Sequence, residues 1–224
     1  MNLIDQSLGQ LARSIPGATR VFHEHQLDFC CGGKHSLREA AALKGLDAQA
    51  IATRLQAQTS QAPEVVDWRL EPIGDLIDHL LTRYHERHRE QLTELVRLAQ
   101  RVEQVHGDRP ACPHGLADHL RTMQQELESH MQKEEQVLFP MLRQGRVLSI
   151  RAPIMVMRME HEQHGQALAR LSELTHGITL PQGACNTWRA LYLGLQAMRE
   201  DLMEHIHLEN NILFERTSAE PAHA

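Results

Sequence analysis

The sequence predicts an all-α protein, in which an up-down-up-down four-helix bundle is preceded by a small helical N-terminal domain. Apolar residues recur every three to four positions from Pro72 onward, which is the period of an amphipathic helix. Turn sequences divide this region into four stripes, and four amphipathic helices joined by short loops are typical of such a bundle. No segment alternates apolar and polar residues as a half-buried strand would.

The N-terminal region is predicted to form short helices over residues 1–58. Ser36 and Glu39 make a capping box, in which each side chain accepts a hydrogen bond from the other residue's backbone N–H at a helix start. Residues 59–68 contain polar residues and a proline, and we interpret them as a linker. The predicted domains are therefore a small helical domain at 1–58 and the bundle at 69–224.

Four apolar stripes define the bundle helices in chain order. The first ends before a Gly-Asp-Arg-Pro turn at 107–110, the second at Gly145 and the third at Gly177. In the second stripe, Val137 and Met141 continue the spacing and are predicted to face the core. The stripes cover residues 73–102, 116–141, 154–174 and 191–212.

The composition argues against several functional classes. The formal net charge is −6 and no basic run stands out, so nucleic-acid binding is not expected. No apolar stretch approaches the length of a membrane span, and the first residues lack the features of a signal peptide. We therefore expect a cytoplasmic protein without a membrane partner. Sixteen histidines among 224 residues is a high count, and it indicates metal binding.

A single histidine followed by a His-x-x-x-Glu pair occurs twice in the bundle region. The single histidine precedes the pair by 45 residues in the first copy and by 44 residues in the second. Histidine and glutamate four residues apart lie on one face of a helix, so both side chains can reach one point. The two copies predict six metal ligands, which are His85, His130, Glu134, His161, His205 and Glu209.

The register of the stripes selects these glutamates over their neighbours. Glu134 follows Leu127 by seven residues and lies on the stripe, whereas Glu135 lies beside it and faces outward. Glu209 continues the fourth stripe in the same way, while His207 points away and is expected at the surface. A buried carboxylate costs several kcal/mol without a cation or strong partners, and no Lys or Arg lies on these stripes at that depth.

The ligand types indicate the metal. One histidine on an apolar face would more simply be a hydrogen-bonded core residue, but six coordinating groups in duplicate favour a metal site. Imidazole and carboxylate without thiolate suit iron or manganese better than structural zinc. Two carboxylates among four imidazoles suit two ions that both glutamates bridge, with two terminal histidines on each ion. This coordination is unsaturated, and an open position can bind oxygen, nitric oxide or an oxo bridge.

Four motifs resemble those of a known family. They lie at Asp28–Lys34, Tyr84–Leu92, Ser129–Gln136 and His205–Asn211. The chain resembles the hemerythrin-like di-iron proteins, and more closely the iron–sulfur cluster repair proteins of the RIC or ScdA type. The resemblance implies that the same six residues hold two iron ions. Compared with oxygen-carrying hemerythrins the set has one histidine fewer, so reversible oxygen storage is a weaker interpretation.

Cys30 and Cys31 form a second candidate site. A disulfide between adjacent cysteines requires a strained ring, so a structural bridge is not expected. Gly32 and Gly33 would allow close approach of a partner. The functional interpretation, which the resemblance supports, is a thiol pair that receives or passes iron or changes its redox state. The alternative is a pair of inert, partly buried thiols.

Five further residues are candidates for positions around the ligands. Glu126 and Glu160 are expected either to accept hydrogen bonds from ligand imidazoles or to line an access channel, with solvated helix-face glutamates as the alternative. His88 and His164 each follow a candidate ligand by three residues, and we interpret them as histidines that pack or hydrogen-bond beside it; the alternative is that one of them replaces its neighbour as a ligand. Tyr84 could hydrogen-bond near the site, or pack at a helix interface without a special role.

The leading functional hypothesis is repair of iron–sulfur clusters that nitric oxide or peroxide has damaged. The partners would then be damaged iron–sulfur proteins, with nitric oxide or oxygen as small ligands. One alternative is an enzyme in which two ferrous ions reduce nitric oxide to nitrous oxide, although no flavin or nicotinamide motif occurs in the sequence. Another is a module that senses or binds oxygen or nitric oxide. The sequence leaves open whether two chains pair as a homodimer.

Overall fold

The computed structural model describes residues 2–30, 32–59, 66–145 and 149–218. The secondary structure of these ranges is helical, without a strand, which confirms the predicted all-α class. No helix within them combines the length and the apolar composition that crossing a membrane requires. The predicted linker falls mostly on residues 60–65, which lie outside the described part of the chain.

Contacts within the chain divide it into two compact units. The terminal unit contains Met1–Leu76 together with Met203–Ala224, and the central unit contains Ile77–Leu202. The last predicted stripe is therefore divided, because its beginning belongs to the central unit and its end to the terminal unit. The predicted domain boundaries at 58 and 69 stay a prediction.

Four short helices form the N-terminal part of the terminal unit. They are α1 (Leu8–Ser14), α2 (Ala18–Glu24), α3 (Leu37–Leu43) and α4 (Ala48–Thr59). Ser36 begins α3 through the predicted capping box with Glu39, and Ser7 begins α1 through a second one with Gln10. These caps satisfy backbone N–H groups that have no partner inside the helix, so both helix starts are defined by local sequence.

The core of the terminal unit is made of apolar side chains from all four short helices. Its fully buried members include Leu8, Leu11, Phe22, Phe29, Leu37 and Leu55. Met203, from the C-terminal segment of the same unit, packs against this core. The N-terminal helices therefore share a hydrophobic core with the end of the fourth bundle stripe, which stabilises both by removing apolar surface from water.

Four long helical runs follow at the positions of the predicted stripes. The first contains α5 (Ile73–Leu80), a π-helical turn (Leu81–His85) and α6 (Glu86–His106). The second contains α7 (Leu116–Lys133), a π-helical turn (Glu134–Leu138) and α8 (Phe139–Arg143). The third is α9 (Arg151–Leu174), and the fourth contains α10 (Asn186–Leu208), a π-helical turn (Glu209–Leu213) and α11 (Phe214–Ser218). These runs confirm the number and order of the bundle helices among the described residues.

Inside the central unit, the helices pack through their apolar stripes. Helix α7 lies against both α6 and α9. The fully or almost fully buried leucines of the unit include Leu92, Leu95, Leu120, Leu127, Leu171 and Leu195. Because the candidate ligands stand on the same stripes, the packing that forms the core also buries them.

The π-helical turn at Glu134–Leu138 shifts the second stripe by one residue. Val137 was predicted to face the core but is 49% exposed, and Met141 is only partly buried, whereas Leu138 is 1% exposed. The N–H of Phe139 donates to a carbonyl five residues earlier, so the turn holds one residue more than an α-helical turn. Side chains after it therefore point in a direction that the 3.6-residue period does not predict, and the prediction for these two residues was wrong.

Candidate metal centre

Three of the predicted ligands lie at the ends of π-helical turns. His85 is the last residue of the first turn, while Glu134 and Glu209 are the first residues of the other two. The insertion of one residue into a helix changes the direction of the side chains around it, and such turns are frequent at functional sites. The sequence gives no signal for them, because the His-x-x-x-Glu spacing itself is that of a regular helix.

The central unit brings four of the predicted ligands together. One oxygen of Glu134 lies 3.4 Å from Nε2 of His85, and the other lies 3.4 Å from Nε2 of His130. Nε2 of His161 lies 3.2 Å from Nε2 of His130. His130, Glu134 and His161 each offer a ligand atom within 4.8 Å of the others. All four side chains are buried, with at most 1% of their surface exposed.

Two carboxylates outside this group orient two of the imidazoles. Nδ1 of His85 lies 2.8 Å from Oε1 of Glu135, and Nδ1 of His130 lies 2.9 Å from Oε2 of Glu160. An ionised carboxylate only accepts hydrogen bonds, so Nδ1 of each ring donates. The proton on Nδ1 leaves Nε2 as the nitrogen with a lone pair, and Nε2 is the atom that faces Glu134. Metal-binding histidines are typically held in this way.

The donor set of the central unit fits a metal cation. Lone pairs on Nε2 of His85 and His130 face the two carboxylate oxygens of Glu134 across 3.4 Å. A buried carboxylate needs strong partners, and a cation bound among these groups would be one. Neutral imidazole and carboxylate oxygen without thiolate is a donor set that suits iron or manganese. The arrangement is therefore chemically that of a metal site.

The orienting carboxylates are themselves paired with cations. Arg89 donates to Glu135 at 2.8 Å, and Lys133 forms an ion pair with Glu160. The hydrogen bond from His130, together with Lys133, lowers the pKa of Glu160 to about 2, although burial acts in the opposite direction. Glu160 is therefore ionised at neutral pH and remains an acceptor for His130.

The terminal unit contains the other two predicted ligands. Nε2 of His205 lies 3.3 Å from Oε1 of Glu209, and both side chains are fully buried. The equivalent distance between His130 and Glu134 is 3.4 Å. The two His-x-x-x-Glu pairs therefore repeat in three dimensions, each with its imidazole and carboxylate one turn apart and directed at a common point.

Predicted aromatic neighbours of the ligands are buried in the central unit. Nδ1 of His88 lies 3.3 Å from Oε1 of Gln91, and the ring of His164 meets that of His130 edge-on at 5.0 Å between centroids. The ring of Tyr84 is 6.2 Å from that of His88. His164 thus packs against a candidate ligand, whereas the contacts given for His88 and Tyr84 are with Gln91 and with each other.

The two predicted acidic neighbours have different positions. Glu160 contacts the imidazole of His130, a candidate ligand. Glu126 is exposed, as a solvated glutamate on the outer face of a helix would be. Sequence reasoning missed the role of Glu135, which contacts His85 instead. The sequence does contain a signal for this contact. Glu135 lies beside the apolar stripe and not on the opposite side of the helix, and from this edge a side chain can reach a neighbouring helix.

The Cys30 thiol lies in a tight loop of the terminal unit, and Cys31 lies outside the described residues. Both the backbone N–H and the thiol of Cys30 donate to Oδ1 of Asp28, at 3.1 and 3.3 Å. A Cβ on Gly33 would lie 2.5 Å from the carbonyl oxygen of Phe29, so this position requires glycine. The sequence Asp-Phe-Cys-Cys-Gly-Gly therefore specifies a closed loop around the first thiol.

His207 was expected at the surface but is 2% exposed. It does point away from the Glu209 side of its helix, and Phe29 of the same unit covers it, with the rings edge to face at 5.5 Å. Burial, and to a smaller extent Arg13, lowers the pKa of His207 to about 4. The amphipathic pattern of one helix could not reveal this, because the covering residue is far away in the sequence.

Both the N-terminal part and the bundle part of the chain match known protein families. Residues 76–217 match the family described as the Hemerythrin HHE cation binding domain. Residues 4–59 match the family ScdA_N, which is described as a domain of unknown function. The first match contains all six predicted ligands, and the second contains both Cys30 and Cys31.

Curated proteins resemble the chain over nearly its whole length. The "Iron-sulfur cluster repair protein YtfE" of Yersinia pseudotuberculosis serotype O:1b is 52% identical to it over 96% of this chain and 98% of its own. The protein of the same name from Pectobacterium carotovorum subsp. carotovorum is 51% identical, over 95% and 96%. That of Yersinia pestis is also 51% identical, over 96% and 98%. The chain therefore belongs to the family of hemerythrin-like iron–sulfur cluster repair proteins, in which a cation-binding HHE domain follows an ScdA_N domain.

Proposed function

We propose that two half sites form one centre that binds two iron ions. The four candidate ligands of the central unit make up one half site, and His205 and Glu209 of the terminal unit make up the other. The ligands of the centre would be His85, His130, Glu134, His161, His205 and Glu209. In support, each half site contains a buried His-x-x-x-Glu pair with Nε2 3.3 or 3.4 Å from a carboxylate oxygen. The cation-binding family model spans both pairs. Two carboxylates among four imidazoles are sufficient to bridge two ions and to complete each with histidine.

One observation carries this proposal, namely the position of Glu134. Its two oxygens face two different imidazoles, both through Nε2, while the Nδ1 atoms of His85 and His130 are directed at other carboxylates. A carboxylate with one acceptor nitrogen beyond each oxygen has the disposition of a bridge between two ions.

We further propose that the protein repairs damaged iron–sulfur clusters by supplying iron. Relatives that are about half identical over the whole chain carry the name of this activity. Iron bound here would be an exchangeable, redox-active cargo, because its ligands are nitrogen and oxygen rather than sulfur. Thiolate ligands favour iron–sulfur clusters, so transfer toward a cluster site lined with cysteine is chemically favourable.

Different residues of the chain would have different roles in this function. Glu135 and Glu160 would hold two ligand imidazoles in the tautomer that binds iron, and Cys30 and Cys31 would receive or pass iron. The partners would be damaged iron–sulfur proteins, and nitric oxide or oxygen would meet the open positions. Cys30, Cys112 and Cys185, the cysteines that the structure describes, are thiols rather than disulfides. This state suits a reducing compartment, and we place the protein in the cytoplasm.

The test uses an enzyme whose iron–sulfur cluster has been damaged by nitric oxide. Anaerobic, iron-loaded protein should restore its activity and transfer isotopically labelled iron to it. The double variant Glu134→Ala/Glu209→Ala should retain little iron and restore nothing, whereas the exposed Glu126→Ala should behave like wild type. Full restoration by the double variant would overturn the iron-donor proposal. Nitrous oxide formed in catalytic excess, without restoration, would identify a reductase instead.

A further inference from the structure

The end of the fourth helical run has two faces with different contacts. His205 and Glu209 stand on one face, each fully buried, with Nε2 and Oε1 3.3 Å apart. His207, Asn210 and Asn211 stand on another face and contact the N-terminal part of the same unit. Glu209 of the first face and both asparagines of the second face lie in the π-helical turn Glu209–Leu213, in which the side chains of consecutive residues point in different directions.

The second face contacts the loop that carries the first thiol, and it also contacts α1. The side-chain amide of Asn210 donates to the carbonyl of Cys30, and that of Asn211 donates to the carbonyl of Phe29, each at 3.4 Å. Arg13 donates to the backbone carbonyl of Asn211 at 3.2 Å. The two asparagines directly follow a candidate ligand, so the thiol loop and the metal half site meet within three consecutive residues.

The contact of Asn211 with the N-terminal part of the unit leaves little free space beside Gly9. A Cβ on Gly9 would lie 2.6 Å from Oδ1 of Asn211 and 3.2 Å from the carbonyl oxygen of Gly33. The N–H of Gly9 donates to that same carbonyl at 2.9 Å. Because a real Cβ contact is essentially never as short as 2.6 Å, an alanine at this position of α1 would force the side-chain amide of Asn211 to move from its observed place.

The docked loop shields its thiol. Cys30 is 5% exposed, and its thiol donates to Asp28 rather than facing solvent. A thiol in this position is unable to meet a target protein or an incoming ion. Reaction at Cys30 therefore requires that Phe29 and Cys30 leave Asn210 and Asn211, and the thiol is accessible only in the undocked state.

We propose that Asn210 and Asn211 are positioning residues that couple the metal state to the docking of the Cys30 loop. This inference rests on the proposed iron centre and names its regulation. An ion that fixes Glu209 also fixes the turn that presents both amides, so the loaded protein keeps the thiol shielded. Without the ion the turn relaxes, the loop undocks and the thiol is presented for loading. Because the coupling is a free energy, docking strengthens iron binding by the same factor.

The test measures maleimide labelling of Cys30 under anaerobic conditions. The full-length chain carries Cys31→Ser, Cys112→Ser and Cys185→Ser, so that only one thiol reports. Ferrous loading should slow the labelling by about tenfold, which is an ordinary size for coupling between sites. Addition of Asn210→Ala/Asn211→Ala should make labelling fast in both states, while Gln104→Ala, which removes an exposed amide on α6, should change nothing.

A second variant keeps the test independent of the metal-binding segment. Gly9→Ala places its Cβ against Asn211 from the opposite side of the contact, and it should raise the labelling rate of the loaded protein. It should also weaken ferrous binding by the same factor, as measured with a competing chelator. Equal labelling of loaded and iron-free protein, or normal shielding in Gly9→Ala, would overturn the coupling.

Cluster repair is measured separately from labelling, so the two proposals fail in different ways. If the loaded protein shields Cys30 but never restores a damaged enzyme, the coupling stands and the repair function fails. If it restores the enzyme while the labelling rate ignores iron, the repair function stands and the coupling of Asn210 and Asn211 to the metal state fails.

Discussion

Glu135 and Glu160 contact two candidate ligands on the side away from Glu134. Each accepts a hydrogen bond from Nδ1 of one histidine, and each is itself paired with a cation. A carboxylate at Nδ1 fixes the tautomer, prevents rotation of the ring and increases the basicity of Nε2. The affinity of this centre for metal is therefore expected to depend on residues that never touch the ion.

Removal of either carboxylate should weaken metal binding without abolishing it. Glu135→Ala and Glu160→Ala are each expected to lower the affinity for ferrous iron by about 10- to 100-fold, which is the usual cost of losing such a partner. Competition with a chelator under anaerobic conditions measures this. Glu126→Ala removes an exposed glutamate from α7 and is the matched control. Affinities equal to that of wild type in both variants would show that the imidazoles are held by packing alone.

At the scale of elements, the π-helical turns connect helix geometry to the ligands. A regular helix through the second stripe would bury Val137, but the turn exposes it and buries Leu138 instead. The extra residue is accommodated next to Glu134, where it changes the direction of the carboxylate relative to the residues that follow. The irregular helical backbone of this turn, which is less stable than a regular helix, therefore lies at the candidate site.

This shift of register has a measurable consequence for stability. Val137→Ala should change the free energy of unfolding by less than about 0.5 kcal/mol, as at an ordinary surface position. Leu138→Ala should lower it by about 2–5 kcal/mol, because it leaves a cavity in the core. Denaturant unfolding of the iron-free proteins compares the two. If Val137→Ala were the more costly change, the second stripe would follow the regular helical period after all.

Asp201 joins α10 to the first helical run of the central unit. Arg83, Arg87 and Gln91 donate hydrogen bonds to its carboxylate at 2.6, 2.7 and 2.7 Å. Burial alone would raise the pKa of Asp201, but these hydrogen bonds outweigh it and hold the pKa below its ordinary value. The unfolded chain then binds this proton more readily than the folded chain, so the carboxylate stabilises the fold above the unfolded pKa of about 4.

Asp201→Asn tests that contribution through its pH dependence. At neutral pH the variant should lose about 2 kcal/mol of unfolding free energy, since hydrogen bonds to a charged group are replaced by weaker ones. The difference from wild type should shrink as the pH falls below about 4, through the depressed folded pKa. Unfolding in denaturant over a pH series measures it, with the exposed Asp118→Asn as control. A difference that stays constant into the acid range would contradict the assignment to the charge.

At the scale of the whole molecule, much of the fold follows from local sequence. The apolar period specifies the four long helical runs, and the capping box at Ser36 and Glu39 specifies the start of a short one. The position of a polar side chain on an apolar stripe also separates Glu134 from Glu135, and the two residues do differ in burial. These features depend on residues within one or two helical turns, which is the range over which sequence patterns act.

Other features depend on residues that are distant in sequence. Asn210 and Asn211 contact a loop about 180 positions earlier in the chain, and Phe29 covers His207, so no pattern within one helix predicts either contact. The π-helical turns escape prediction for a different reason, since an insertion leaves the composition of a helix unchanged. The repeated His-x-x-x-Glu spacing identifies the candidate ligands, and Glu160 next to His161 was a predicted neighbour, but the contact of Glu135 with His85 joins two helices and was not predicted.

Two half sites, each built on a His-x-x-x-Glu pair, are proposed here to hold two iron ions as one centre. Anaerobic ferrous loading, followed by iron analysis and Mössbauer spectroscopy in an applied field, determines whether they do. We expect two iron ions per chain that are magnetically coupled after oxidation, both in wild type and in Cys30→Ser/Cys31→Ser. A single iron per chain, two uncoupled ions, or loss of iron with the two thiols would show that these residues do not form one di-iron centre.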